Sequence, residues 1–350
     1  MSWHALSGGL LRAVTHLDLG CEFRGGQRQV LYLAAEQGRA GRRVRVAAPA
    51  GAPILERAAA QGLSTLSLPA RRDFDPRNLF VLARALDASE ILHTHDARAA
   101  SLGALVRLVR PGTSLMHTRR VSYPLGRGWS ALKYRLADVV ACVSREVEEA
   151  VRLAGVTRTV VIPSAIVLDR YSRRLSGNGG RLGIIGALSP QKGHSRLFEA
   201  LSLMDRVPEV WVVGSGNLEA ELRAQCARLG IADRVVWKGE VESPQVLPLF
   251  DALVVPSAHG EGSSGVVKEA WAAGVPVVCS DLPANLELVR DGENGLTFPN
   301  GDAAALAWQL ERLRDDQALA GRLAAGGAED VLACDASFMA EAYARAYERL

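Results

Sequence analysis

Cysteine is scarce in this chain: five residues, at positions 21, 142, 226, 279 and 334, odd in number and with no CxxC pair. That spacing excludes a zinc knuckle or a disulfide framework and fits a reducing compartment. Long apolar runs are missing too, none approaching the roughly 18–20 uncharged residues of a membrane-crossing helix. The opening Met1-Ser-Trp-His-Ala-Leu-Ser-Gly-Gly has neither the basic nor the apolar region of an export signal. A cytoplasmic location is therefore expected. Gly214-Ser-Gly216 lacks the third glycine and the following acid of a dinucleotide fingerprint. Ser130-Ala-Leu-Lys133 lacks the companion motifs of an acylating serine site.

What is present describes a globular protein of two domains. The chain is 48% hydrophobic and 23% charged, and 350 residues exceed the usual size of one core. The net charge of +3 conceals an asymmetry: residues 1–172 hold 24 Lys+Arg against 14 Asp+Glu, and the remainder 17 against 24. A basic first half suits an anionic partner such as a glycolipid headgroup or the inner face of a membrane, and equally suits dispersed surface arginine.

Short apolar runs at 11–17, 44–48, 63–68, 91–94, 114–118 and 139–143 alternate with amphipathic stretches, which predicts buried parallel strands joined by helices. Asp75-Pro76 marks a helix start. Turn residues without periodicity make 166–180 a linker, and a second βα series begins at 182. The fold class is α/β, with two doubly wound, Rossmann-like domains at 1–165 and 181–334 and a last helix at 335–350. The stretch 303–323 reads as a single helix.

One block carries most of the chemistry: His259-Gly-Glu261-Gly-Ser-Ser-Gly-Val-Val-Lys-Glu269-Ala-Trp-Ala-Ala-Gly274-Val-Pro276. Its glycines and serines open a helix whose free N–H groups favour phosphate. Its two carboxylates, eight residues apart, suit sugar hydroxyls. Glu261-x7-Glu269 in this setting resembles the glutamate-pair motif of retaining family 4 glycosyltransferases. The resemblance implies the GT-B fold, with two domains facing a cleft and the last helix crossing back to the first. It implies that Glu261 contacts the transferred sugar and Glu269 the ribose. Gly265, Val266 and Val267 would offer backbone N–H groups to a diphosphate, with Ser263 and Ser264 as hydroxyl contacts. Gly186-Ala-Leu-Ser-Pro-Gln-Lys192 resembles the family's strand-end loop: Lys192 matches, but Ala187 stands where an arginine is usual. The Gly214 turn would help shape the base pocket. Phe250–Ser257 and Leu288–Leu296 extend the resemblance, whereas Pro163-Ser-Ala-Ile-Val-Leu-Asp169 departs from the usual Pro-Asn-Gly-Val-Asp.

In the first half, Gly25-Gly26 has the form of a loop that lets phosphate approach backbone. His93-Thr-His95 puts two imidazoles on one strand face, a pattern that also suits a metal-dependent hydrolase with His117 and His259 as further ligands. The resemblance implies instead a metal-free enzyme in which His95 lines the acceptor side and His117 lies near the reacting centre. Arg119 and Arg120 open a basic, aromatic-bearing segment suited to an anionic acceptor or membrane rather than to nucleic acid. The expected function is transfer of a sugar from a nucleotide-sugar to a cell-surface glycan or lipid-linked acceptor, of lipopolysaccharide or exopolysaccharide type. The donor is a UDP-sugar first, a GDP- or ADP-sugar otherwise, and no other cofactor is required. A nucleotide-sugar epimerase and a catalytically weak binding subunit are the alternatives.

Overall fold

The computed structural model describes residues 11–72, 74–174, 180–260 and 262–350. The opening stretch read for an export signal lies in residues 1–10, outside the described ones. The chain forms two compact units, Met1–Ala165 with Ala336–Leu350 and Ile166–Asp335.

The first unit is built on a seven-stranded sheet. Its strands are β1 (Val14–Leu17), β2 (Val44–Pro49), β3 (Ser64–Leu68), β4 (Ile91–Thr94), β5 (Ser114–Arg119), β6 (Val139–Cys142) and β7 (Thr159–Val161). All pair in parallel, in the order β3-β2-β1-β4-β5-β6-β7. The connecting helices are α1 (Gly25–Arg39), α2 (Pro53–Ala60), α3 (Pro76–Ala85), α4 (Ala97–Val109), α5 (Trp129–Arg135) and α6 (Arg145–Leu153). Every residue of β1, β4 and β6 is buried, as strands covered on both faces require. Val30, Leu31 and Ala34 of α1 pack on Val44, Val46 and Ala48, while Leu17, Leu92 and Leu115 pack with Leu82, Leu102 and Val106. Three helices start on side-chain caps, Asp75, Asp96 and Ser144, each accepting from backbone N–H groups of the first turn.

The second unit repeats the plan with six parallel strands, β8 (Leu182–Ile185), β9 (Val210–Val213), β10 (Val235–Gly239), β11 (Ala252–Val255), β12 (Val277–Ser280) and β13 (Leu296–Phe298), in the order β10-β9-β8-β11-β12-β13. Its helices are α7 (His194–Leu203), α8 (Glu219–Arg228), α9 (Ser243–Val246), α10 (Gly265–Ala272), α11 (Pro283–Leu286), α12 (Ala303–Asp315) and α13 (Gln317–Asp330). The stretch expected as one helix from 303 to 323 is two. Asp316 closes α12 and caps α13, its carboxylate accepting from the Leu319 N–H at 2.8 Å. The supposed linker is also structured at its start. Ile166 pairs with Asp335, and Arg174 donates to the carbonyl of Asp251 at 2.8 Å, so 166–174 belong to this unit.

The last helix, α14 (Ala336–Tyr347), packs against α1 in the first unit, where Tyr343 and Tyr347 are buried. In both sheets the strand order reverses direction beside the first strand, between β1 and β4 and between β8 and β11. At such a point the connections leave to opposite faces and a crevice opens beyond the carboxyl ends of the two strands.

Candidate functional site

In the second unit the two loops at that crevice are those singled out in the sequence. β8 ends into Gly186–Lys192, and β11 ends into the segment that leads to α10. Gln191 joins them: its Nε2 donates to the Gly260 carbonyl at 2.9 Å, and its own carbonyl accepts from the Ala258 N–H at 2.8 Å. Gly193 permits the approach. Its φ is +68°, and a Cβ there would lie 1.8 Å from the Pro256 carbonyl oxygen. Gly214 closes a third side, since a Cβ on it would lie 2.0 Å from the Gly186 carbonyl oxygen. Gly214 thus holds the ends of β8 and β9 together. The half-buried Lys192 side chain crosses Gly186, whose Cβ position is 3.2 Å from Lys192 Cγ, and Ala187 is exposed.

α10 starts without a side-chain cap: Ser264 is its N-cap, and the Ser264 Oγ is buried with no hydrogen-bond partner. The first-turn amides, including those of Gly265, Val266 and Val267, have no acceptor within their own helix. Glu269 stands in the second turn, partly buried. Glu261 lies outside the described residues. Lys268 was not foreseen from the sequence: it is fully enclosed and its Nζ donates to Oγ of the half-buried Ser263 at 2.9 Å. Burial brings the lysine down to about 8, with Cys334 and Glu287 partly offsetting it.

At the crevice of the first unit stands a buried histidine cluster. His16 on β1 pairs in register with His93 on β4, and His95 follows β4, so all three share one face. Gln37 Oε1 can only accept, which puts the His16 proton on Nε2 at 2.8 Å. His16 Nδ1 then accepts from His95 Nε2 at 2.9 Å, leaving His95 Nδ1 an unpartnered acceptor. His93 bonds to the Tyr347 hydroxyl through Nδ1 and to Thr118 Oγ1 through Nε2, both at 2.7 Å. Burial holds His93 and His95 well below the usual histidine range and His16 at about 4, so all three are neutral near pH 7.

A potential ligand atom from each of His16, His93 and His95 lies within 4.8 Å of the others. Five of their six ring nitrogens are already committed to side-chain partners. The third histidine of the group is His16, not His117 or His259 as the hydrolase reading required. His117 is paired in register with Thr94 and therefore faces the other side of the sheet. It is fully buried, with Nδ1 on Thr94 Oγ1 at 2.6 Å and Nε2 on the Lys133 carbonyl at 3.0 Å. His117 is not brought together with His95.

Arg119 shares the His117 face and is buried, donating to the Tyr123 carbonyl. Arg120, beyond the strand, sits beside the start of α1: a Cβ on Gly26 would be 3.8 Å from its Cδ. Its Nε and Nη2 are buried without partners, and its one hydrogen bond runs to Ser164 Oγ at 3.4 Å. A Cβ on Gly25 would meet nothing within 4 Å, so that glycine borders open space. Gln37, Thr118 and Tyr347 were missed because each is an ordinary polar residue on its own element, and only the fold makes them histidine partners.

Two parallel Rossmann-like units of this kind, with an acidic and glycine-rich loop at the second crevice, define the GT-B glycosyltransferase fold. The family models agree: Glycosyltransferase Family 4 matches residues 23–170 and Glycosyl transferases group 1 matches residues 179–316. The chain is 32% identical to the phosphatidyl-myo-inositol mannosyltransferase of Mycobacterium leprae, over 93% of this chain and 92% of that protein. It is 30% identical to the lipopolysaccharide core biosynthesis glycosyltransferase LpsE of Rhizobium meliloti, over 62% and 65%. In fold it is similar to Anabaena Alr3699/HepE, solved in complex with UDP, with a TM-score of 0.86, 20% identity and 97% and 100% coverage. The chain belongs to the family 4 glycosyltransferases, in the group 1 class, and is a glycosyltransferase. Among the described residues no helix is long and apolar enough to cross a membrane.

Proposed function

We propose that this protein is a retaining glycosyltransferase that moves a sugar from a nucleotide-sugar to a lipid-linked or cell-surface glycan acceptor, with the donor held by the second unit. The carrying observation is that Lys192, on the loop that leaves β8, and the uncapped start and second-turn Glu269 of α10, the helix that follows β11, all come from the two strands at one switch point. Loss of a nucleoside diphosphate builds negative charge on its oxygens while the sugar becomes cationic. Helix amides and Lys192 stabilise the first, and the Glu261 carboxylate the second. Glu269 accepts from the ribose hydroxyls. Attack from the face that the diphosphate leaves, with the phosphate taking the acceptor's proton, retains the anomeric configuration. UDP is the nucleotide we favour, a choice supported by the HepE complexes with UDP and UDP-glucose. A glycolipid acceptor is supported by the named activities of the relatives, and in this reading its anionic headgroup meets Gly25, Gly26, His95 and Arg120 of the first unit at the inner membrane face.

The test is a thermal-shift screen of UDP-, GDP- and ADP-sugars followed by transfer assays with the stabilising donor. A compound present at 100 times its Kd stabilises by about 2.7 kcal/mol. Glu269→Ala should weaken the donor by about 1.5–3 kcal/mol, roughly 10- to 100-fold. No melting shift with any of the three donor classes would overturn the assignment.

A further inference from the structure

We propose that Lys268, acting through the Ser263 hydroxyl, supplies the positive charge for the donor diphosphate that the exposed Ala187 does not provide. This rests on the donor reading above and names a positioning residue for it. Lys268 lies in the first half of α10 and is wholly enclosed, yet its ammonium is joined to a residue that is only partly buried: Nζ donates to Ser263 Oγ at 2.9 Å, and Ser263 is half-buried. A hydroxyl has one proton to give. With a lone pair occupied by an ammonium, the Ser263 O–H is polarised and is left to donate outward, toward an oxygen rich in electrons. The surroundings suit an anion rather than a neutral hydroxyl. Ser263 precedes the uncapped, positive end of an eight-residue helix, and the neighbouring Ser264 Oγ is buried without a partner. Enclosing a charge costs several kcal/mol that an apolar side chain at this position would not, and through Ser263 the field of the ammonium reaches phosphate. A lysine can do this from an enclosed position because its compact charge sits at the end of a long apolar stem.

The test is calorimetric titration of full-length protein with UDP, GDP and ADP and with the parent nucleosides. The variants are Lys268→Met, Ser263→Ala, the two combined, and Lys268→Met with Ala187→Arg. Lys268→Met should lower affinity for the bound diphosphate about tenfold, as loss of a charged hydrogen bond does, and leave nucleoside affinity unchanged. The combined variant should be no weaker than Lys268→Met alone, and Ala187→Arg should restore binding. Equal losses for nucleoside and diphosphate, additive losses in the combined variant, or no rescue by Ala187→Arg would overturn the inference. If Lys268→Met does not fold, Ser263→Ala decides: a loss confined to the diphosphate supports the relay, and unchanged binding refutes it. Wild-type protein that binds none of the three diphosphates removes the donor reading itself. Wild-type binding with Lys268→Met unaltered removes only this inference.

Discussion

At the scale of single residues, the second unit's crevice depends on positions where no side chain fits. Gly193→Ala would impose both a left-handed backbone and an overlap with the Pro256 carbonyl. A loss of at least about 2 kcal/mol is expected in urea unfolding. Gly230→Ala is the control: its φ is +70° but its Cβ position is open, so about 1 kcal/mol should be lost. Equal losses in the two would mean that the Pro256 contact is unimportant. Much at this scale was legible. The Gly/Ser loop after β11, and Lys192 with the gap at Ala187 after β8, announce themselves as linear patterns on two strand-to-helix turns. Lys268 did not, because a lysine between Val267 and Glu269 reads as a solvated helix position. Only the packing of α10 shows that its side chain points inward.

At the scale of elements, strand parity separated residues that the sequence had grouped. His95 and His117 both belong to the carboxyl ends of adjacent strands, but register puts His117 beside Thr94 rather than beside His93. A strand's own alternation is readable from its residues, whereas its offset against a neighbour is set by the whole sheet. The split between α12 and α13 was missed for a related reason. The apolar spacing continues through Asp316, and only the cap geometry reveals the break. Asp316→Ala should cost about 1 kcal/mol and Asp316→Asn much less, measured as a shift in melting temperature. Tyr347→Phe tests the tie between α14 and β4. It removes the hydroxyl that meets His93 Nδ1 and should cost about 1–3 kcal/mol, since a buried ring nitrogen is left unserved.

For the molecule as a whole, the buried histidines set the response to acid. His16, His117 and His194 are held at about 4, and His93 and His95 well below the usual histidine range, in each case chiefly by burial. Between pH 6.5 and 4 the unfolded chain therefore binds more protons at these sites than the folded one, and stability falls as pH falls. Each contributes up to about 1.4 kcal/mol per pH unit in that window. Asp18 acts in the opposite sense. Its pKa is raised by burial and by Asp96, so protonating it returns some stability on the acid side. One such carboxyl does not balance four histidines in the same unit. Urea midpoints measured at pH 7, 6 and 5 should fall steadily, and the Ile166–Asp335 unit, with His194 alone among these, should lose less. Midpoints that hold constant from pH 7 to 5 would contradict this account.

The path of the chain has a consequence for how the protein is made. The N-terminal body is interrupted after Ala165 and resumes at Ala336, and its final piece carries Tyr343 and Tyr347 to Thr118 and His93. During synthesis that body waits for the intervening 170 residues, Ile166–Asp335, before its last partners leave the ribosome. The inserted body, continuous in sequence, can mature first. Nascent chains stalled just short of residue 336 should then resist protease in their later half and be cut in their earlier one.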